Sequence, residues 1–322
     1  MYDSIAITGG TGTLGQALVA EILANHQPTR LVIISRGEAR QAEMKKIWPE
    51  AGPLRYFIGD VRDEGRMLYA LEGCQTVIHA AALKRVEVCE REPEEALLTN
   101  VIGTRNVARA AREVGASRFM LVSSDKACAA ATTYGATKYL AERYVVGMNN
   151  YAGHRSIRFS CVRYGNVLGS TGSVAHSFLD HNGKITITHP DMTRFWWTAK
   201  DAARFIMSSL AMMRGGEIFI PRLSSLRITD MASMLAPDAE METIGLRGAE
   251  KLHESLVSPD ESLWAVELPD RYAILPSMPQ WSGWEWPEAK PMQMGWSYSS
   301  ENADRLTEGY FMVLAREAGL VK

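Results

Sequence analysis

Cysteine is scarce in this chain of 322 residues. There are four, Cys74, Cys89, Cys128 and Cys161, with no Cys-x-x-Cys pair and no grouping with histidine at zinc spacing. That excludes a disulfide-stapled scaffold and a zinc-finger type of site, and it reads as four reduced thiols with no metal centre. No apolar run approaches the ~18 residues of a membrane span. The opening Met1-Tyr2-Asp3-Ser4 carries neither a basic region nor an apolar signal core, so a cytoplasmic protein is expected. Charge of one sign is missing as well. Lys and Arg total 35 against 37 Asp and Glu, a net charge of -2, and no block of like charge stands out. Nucleic acid and anionic membranes are therefore poor partners. A small anionic ligand stays open if its arginines are placed locally. Internal repeats and low-complexity linkers are also absent.

What is present is 46% hydrophobic and 22% charged residues, globular values. The length allows one large or two interleaved domains with a substantial core. Short apolar runs alternate with amphipathic stretches. Strands are expected at Ser4–Thr8, Arg30–Ser35, Leu54–Ile58, 75–80, 118–123 and 156–163, and helices at Thr13–Asn25, Glu38–Ile47, 93–114 and 134–151. This alternation argues an α/β fold, a doubly wound parallel sheet with helices on both faces. After Gly165 glycine, proline and tryptophan become frequent and the elements shorten. A helix at 201–213 and a strand at 215–221 read as a return to the sheet; further helices are expected at 229–235 and 300–318. Residues 1–165, completed by about 195–220, are thus expected to form the dinucleotide domain, with 166–194 and 221–322 a smaller substrate lobe. Trp281, Trp284 and Trp286 read as a packed loop or interface.

Gly9-Gly10-Thr11-Gly12-Thr13-Leu14-Gly15 follows the first strand and opens a helix. Gly10, Gly12 and Gly15 satisfy G-x-G-x-x-G; Gly9, Gly12 and Gly15 equally satisfy G-x-x-G-x-x-G. Small residues there let backbone approach a pyrophosphate seated on the helix N-terminus. The second strand ends in Ser35-Arg36, with Arg40 one turn later, where an NAD site would want a carboxylate. A guanidinium suits a 2′-phosphate, hence NADP; a solvated loop arginine is the plainer reading. Asp60-Val61, after the third strand, is placed to bracket adenine, and Asp60 could equally cap the following helix.

Ser124-Asp125-Lys126 stands a short way upstream of Tyr134-Gly135-Ala136-Thr137-Lys138. Tyr134 and Lys138 are four apart and share a helix face, where an ammonium would lower the phenol's pKa toward working pH. That pair suits hydride chemistry at a carbinol. Asp125 and Lys126 add groups able to move further protons, which simple dehydrogenation does not need. They stand just beyond a core strand, where doubly wound sheets place ligands.

With Gly9–Gly15, Asp60-Val61, His79-Ala80-Ala81-Ala82, Asn100, Ser123-Ser124 and Tyr134-x-x-x-Lys138, the chain resembles the extended short-chain dehydrogenase/reductases. Asp125-Lys126, Arg163–Val167, Met192–Trp196, Gly215–Phe219 and Glu250–Glu254 narrow the resemblance to soluble, inverting UDP-N-acetylglucosamine 4,6-dehydratases of the pseudaminic acid type. The resemblance implies a nicotinamide cofactor against Gly9, Gly12, Thr13, Leu14, Gly15, Ser35, Arg36, Arg40, Asp60, Val61, Ala80, Ala81, Lys84 and Asn100. Tyr134, with Ser124 and Lys138 beside it, would deprotonate the sugar C4 hydroxyl, Lys126 would remove the C5 proton, and Asp125 would protonate the departing C6 hydroxyl. Lys126 can do so only if its pKa is depressed. The UDP-sugar would lie against Lys84, Asn166, Gly172, Ser173, Val174, Thr193, Arg194, Arg247 and Glu250, with Arg222 a weaker candidate and His253 a packed residue. The resemblance further implies a homo-oligomer, dimer to hexamer. A C5-retaining dehydratase or a 4-epimerase is the alternative reading, and a non-catalytic NADP-binding protein a third. Arg247-Gly248-Ala249-Glu250-Lys251 replaces the usual Arg-Pro-Gly-Glu-Lys, and Ala129-Ala130-Ala131 the usual Asn-Pro, so substrate identity is softer than reaction class.

Overall fold

Six β-rich runs, too short for helices, form the centre of the molecule: Ser4–Thr8 (β1), Arg30–Ser35 (β2), Leu54–Ile58 (β3), Thr76–His79 (β4), Arg118–Val122 (β5) and Arg158–Val162 (β6). In the computed structural model, which describes residues 3–153, 155–278 and 286–321, they pair in parallel in the order β3-β2-β1-β4-β5-β6. Ile218–Pro221 joins parallel to β6. β1, β2, β4 and β5 are buried almost throughout, as strands covered on both faces must be. The strand order reverses between β1 and β4, which leaves a crevice at their C-terminal ends.

The helix Ala199–Met212 packs beside Thr13–Asn25 (α1), so the return to the sheet expected at 201–221 is real. The C-terminal segment divides, contrary to a wholly separate lobe over 221–322. Arg271–Ile274, Ala265–Glu267 and Lys290–Pro291 extend the main sheet antiparallel beyond Ile218–Pro221. The free edge of Ile218–Pro221 would otherwise leave backbone groups unpaired. The smaller lobe is built from Asn166–Val167, Thr193–Trp197 and Ser225–Arg227 in one sheet and Lys184–Ile187 with Glu240–Thr243 in another. It has its own core, which includes Leu168, Phe178, Ile187, Trp196, Met231 and Phe311.

Two helices differ from expectation. The stretch 93–114 is Pro93–Ala96, a widened π turn over Leu97–Ile102, then Gly103–Glu113. The C-terminal helix starts only at Glu308, with the Thr307 side chain capping Tyr310 N–H. Residues 300–307 do not coil because their backbone groups pair elsewhere: Ser300 N–H donates to the Glu254 carbonyl, the Asp304 carbonyl accepts from Ser225 N–H, and Leu306 N–H donates to the Ser225 carbonyl. Trp281 and Trp284 lie outside the described residues; Trp286 packs edge-on against Phe219, under the Arg214 guanidinium. Among the described residues the four cysteines are buried and free, and no helix is long and apolar enough to cross a membrane.

Candidate active site

A cleft of about 1430 Å³ opens at the reversal point and runs between the sheet ends and the smaller lobe. Glycines make its first wall. Gly9 holds φ +70°, and a side chain there would strike the backbone of Ala80 and Ala81, so β1 and β4 close up only around glycine. Gly12 precedes α1 without a side-chain cap, and Thr13, Leu14 and Gly15 line the cleft. Uncapped first-turn N–H groups facing an open space are a ready anion site, the donor set a pyrophosphate requires. Ser35, Arg36, Arg40, Val61, Ala80, Ala81 and Lys84 line the same region. Burial, then Arg85 and Arg40, push the Lys84 ammonium below its ordinary pKa. An anion placed there would meet Lys84, Arg85 and Arg40.

Two residues expected on the cofactor are engaged otherwise. Asp60 is held by Arg62 through bonds of 2.7 and 3.0 Å and faces Arg36 at 3.8 Å; burial opposes its charge, but the Arg62 bonds hold its carboxyl below the ordinary value. The cap of the next helix is Asp63, not Asp60. Asn100 is buried beneath the cleft wall. It bonds both the N–H and the carbonyl of Leu83 and the Thr137 hydroxyl, fixing the loop after β4 to the helix Thr133–Gly147. The widened turn points it there, a detail that composition does not carry.

The second wall is catalytic in character. β5 ends at Val122, and after Ser123 and Ser124 comes one 3₁₀ turn, Asp125–Ala127, started by the Ser124 hydroxyl accepting from Lys126 N–H. Ser124 Oγ donates to Asp125 Oδ1 at 2.9 Å. Lys126 Nζ donates to Asp125 Oδ1 at 3.0 Å and Asn166 Oδ1 at 3.3 Å, and lies 3.4 Å from Glu254 Oε1. Two of its N–H groups thus meet hydrogen-bond acceptors, and Glu254 adds an ion pair. Burial alone would pull the Lys126 pKa down, but Asp125 and Glu254 outweigh it and raise it above its ordinary value. The expected depression is reversed: Lys126 rests as an ammonium.

Tyr134 is almost wholly buried, and burial pushes its phenol up to about 12, opposed by a Ser124 hydrogen bond and the Lys126 charge. Lys138, expected beside the phenol, instead donates to the Val122 carbonyl at 2.7 Å. Burial lowers it to about 8, against the pull of Glu142. The Lys126 charge is among the influences that favour the Tyr134 phenolate.

Of the residues expected on substrate, Lys84, Asn166, Gly172, Ser173, Val174, Arg194, Arg247 and Glu250 line the cleft. Thr193 does not. Its hydroxyl is buried against His253 and Ser300. Arg194 lines the cleft, but it donates to the carbonyls of Thr193, Lys251 and Leu252 and is a brace as much as a clamp. Arg222 belongs to a different hollow, paired with Glu267 over the Tyr272 ring. Glu254 was not singled out from sequence, although it lines the cleft with its carboxylate on Lys126. Its motif was visible; its distance along the chain from Lys126 hid the contact.

A family model described as polysaccharide biosynthesis protein matches residues 5–276. The chain is 42% identical over 310 residues to a Campylobacter jejuni (serotype O:23/36, strain 81-176) protein named UDP-N-acetylglucosamine 4,6-dehydratase (inverting), covering 93% of this chain and 92% of that one. A solved structure of Pen from Bacillus thuringiensis superposes with a TM-score of 0.91 at 33% identity, over 99% of this chain and 98% of its own. DesIV of Streptomyces venezuelae, a dTDP-glucose 4,6-dehydratase solved with NAD and TYD bound, shares the fold at TM-score 0.68 and 21% identity, over 77% of this chain and 86% of its own.

Proposed function

The chain belongs to the polysaccharide biosynthesis protein family, and on that premise we propose that it is a nucleotide-sugar 4,6-dehydratase, using NADP, that acts on UDP-N-acetylglucosamine with inversion at C5. The observation that carries this is Lys126, in the same cleft as Tyr134 and paired at 3.0 Å with Asp125, whose carboxylate is buried behind it. A 4-epimerase needs no C5 base, and a plain dehydrogenase needs no acid at C6.

The α1 N-terminus, Arg36, Arg40 and Lys84 suit a dinucleotide with a 2′-phosphate; when bound, it supplies a hydride acceptor and donor. Tyr134 receives the C4 hydroxyl proton as that carbon becomes a ketone. With a phenol pushed up to about 12, it depends on the nearby Lys126 charge and the Ser124 hydrogen bond. The ketone acidifies the C5 proton. The proton shared by Lys126 and Asp125 crosses from Nζ to Oδ1, making an amine and a carboxylic acid in one move. The amine takes the C5 proton; the acid protonates the C6 hydroxyl, which leaves as water. The pair ends as the ammonium–carboxylate form in which it began. The hydride would then return to C6, and a proton taken from water on the other face of C5, balanced by the one Tyr134 gives up, inverts that centre.

The test is incubation with UDP-N-acetylglucosamine and NADP in deuterated water, read by mass spectrometry and NMR. Loss of water, deuterium at C5, inverted C5 couplings and no net use of NADP are expected. A product that keeps its C6 oxygen defeats the dehydratase reading, and unchanged C5 couplings defeat inversion.

A further inference from the structure

Two carboxylates face one amine of the cleft, and the reaction above uses only one. Glu254 lies just before the strand Ser255–Val257 and is 4% exposed. Its backbone is fixed, because its N–H donates to Ser300 Oγ and its carbonyl accepts from Ser300 N–H. Oε1 faces Lys126 Nζ at 3.4 Å, while Oε2 is buried with no hydrogen-bond partner. A structural glutamate at this burial would have both oxygens satisfied.

Resting on the dehydratase reading, we infer that Glu254 is the fixed counter-ion of the C5 base: it orients the Lys126 amine and stabilises the ammonium that forms as the C5 proton arrives. The two carboxylates divide the work by their surroundings. Asp125 has Ser124 and Lys126 as partners, so the shared proton can reach it. Glu254 has two further cations, Arg194 Nε at 3.8 Å from Oε1 and Lys251 Nζ at 3.9 Å from Oε2. Both cations help to hold the Glu254 carboxylate where it faces Lys126.

Geometry then directs the amine. When Lys126 passes one proton to Asp125, two N–H bonds remain, and they match Glu254 Oε1 and Asn166 Oδ1. With both held, the lone pair is fixed along the third direction, and it meets the C5 proton once the Asp125 acid turns from it to the C6 hydroxyl. Protonation of the amine by C5 restores a cation next to an anion, which lowers the energy of the proton transfer. The groups facing Lys126 are Asp125 beside it, Tyr134 from the helix Thr133–Gly147, Asn166, Arg194 from the strand Thr193–Trp197, and Glu254.

The test is Glu254→Gln, with Glu254→Asp beside it, in the full chain supplied with NADP and UDP-N-acetylglucosamine. The Gln variant should lose ~100-fold or more in kcat, the range set by base catalysis, with KM little changed and reduced nicotinamide building up because C4 oxidation persists. The Asp variant should recover part of the rate. The Lys126 titration midpoint, read by carbon NMR of labelled lysine without substrate, should fall by about one pH unit in the Gln variant. A folded Gln variant with wild-type kcat, or an unmoved Lys126 midpoint, overturns the inference. If the wild-type protein makes no 4-keto-6-deoxy product, the dehydratase reading fails. The Lys126 titration then still decides whether Glu254 governs that proton.

Discussion

The carbonyl oxygen of Lys126 fills the space in which a side chain on Gly135 would begin. The turn that carries the acid–base pair and the helix that carries Tyr134 are therefore in backbone contact, and the spacing of the whole site depends on a missing β-carbon. Thr132 Oγ1 accepts the Gly135 N–H at 3.0 Å and starts the helix at this contact.

Gly135→Ala should be harmful although alanine favours helix by ~1 kcal/mol. The overlap is with backbone, which cannot turn aside as a side-chain tip can. A loss of about 1–3 kcal/mol is expected, seen as a Tm lower by several degrees. Displacement of Tyr134 relative to Lys126 should cost ~100-fold in kcat. Wild-type kcat in a folded Gly135→Ala protein would show that the contact does not set the geometry.

Lys138 titrates at about 8 in the fold, below its ordinary 10.5. Between those values the unfolded chain binds a proton the folded one has released, so this group's contribution to stability improves as pH rises through that window. Below about 8 both states are protonated and the burial cost is constant. Any step that needs the Lys138 ammonium should weaken as pH rises through about 8. Lys138→Met should flatten that limb of the kcat profile; an unchanged limb would assign it to another group.

Arg163 is fully buried and joins three parts of the molecule. It bonds Glu142 on the catalytic helix at 2.7 and 3.0 Å, Glu261 at 2.8 and 2.9 Å, and the Leu256 carbonyl. Glu142→Gln leaves the guanidinium under-compensated and should cost about 3–5 kcal/mol in denaturant unfolding. The double change Arg163→Met with Glu142→Leu should cost less than the single one, because the charge it leaves unpaired, Glu261, reaches solvent. A larger loss in the double variant would mean that Arg163 acts chiefly through the Leu256 and Glu261 bonds.

Arg36 is half exposed and lines the cofactor end of the cleft. If it meets a 2′-phosphate, Arg36→Ala should weaken NADP binding ~10–100-fold, the worth of one or two charge-assisted bonds, and leave NAD binding nearly unchanged. Calorimetric titration with each dinucleotide separates the two. Equal losses for both would remove Arg36 from the choice of cofactor.

The nucleotide wall was legible in the linear chain because its parts are local. Gly9 to Gly15, and Ser35 with Arg36, act within a strand, a turn and a helix start. The Tyr134–Lys138 spacing correctly put both on one helix. It did not reveal that Lys138 turns to the Val122 carbonyl, since the competing acceptor comes from another strand. Thr193 looked like a ligand within an aromatic run, yet its hydroxyl is consumed by Ser300 and His253, partners that no spacing relates to it. Asn100 carried a recognisable signal, but its bonds to Leu83 and Thr137 join segments that no spacing relates.

By itself the sequence determined which groups this protein can use: a glycine turn able to admit a pyrophosphate, cations after the second strand, and an acid, an amine and a phenol close together. Those properties follow from residue chemistry and from neighbours within a turn or two. Tertiary structure alone decided how the groups are charged. Lys126 is an ammonium because Asp125 and a distant Glu254 converge on it, and the balance between burial and two anions depends on distances that exist only once the smaller lobe has folded against the sheet.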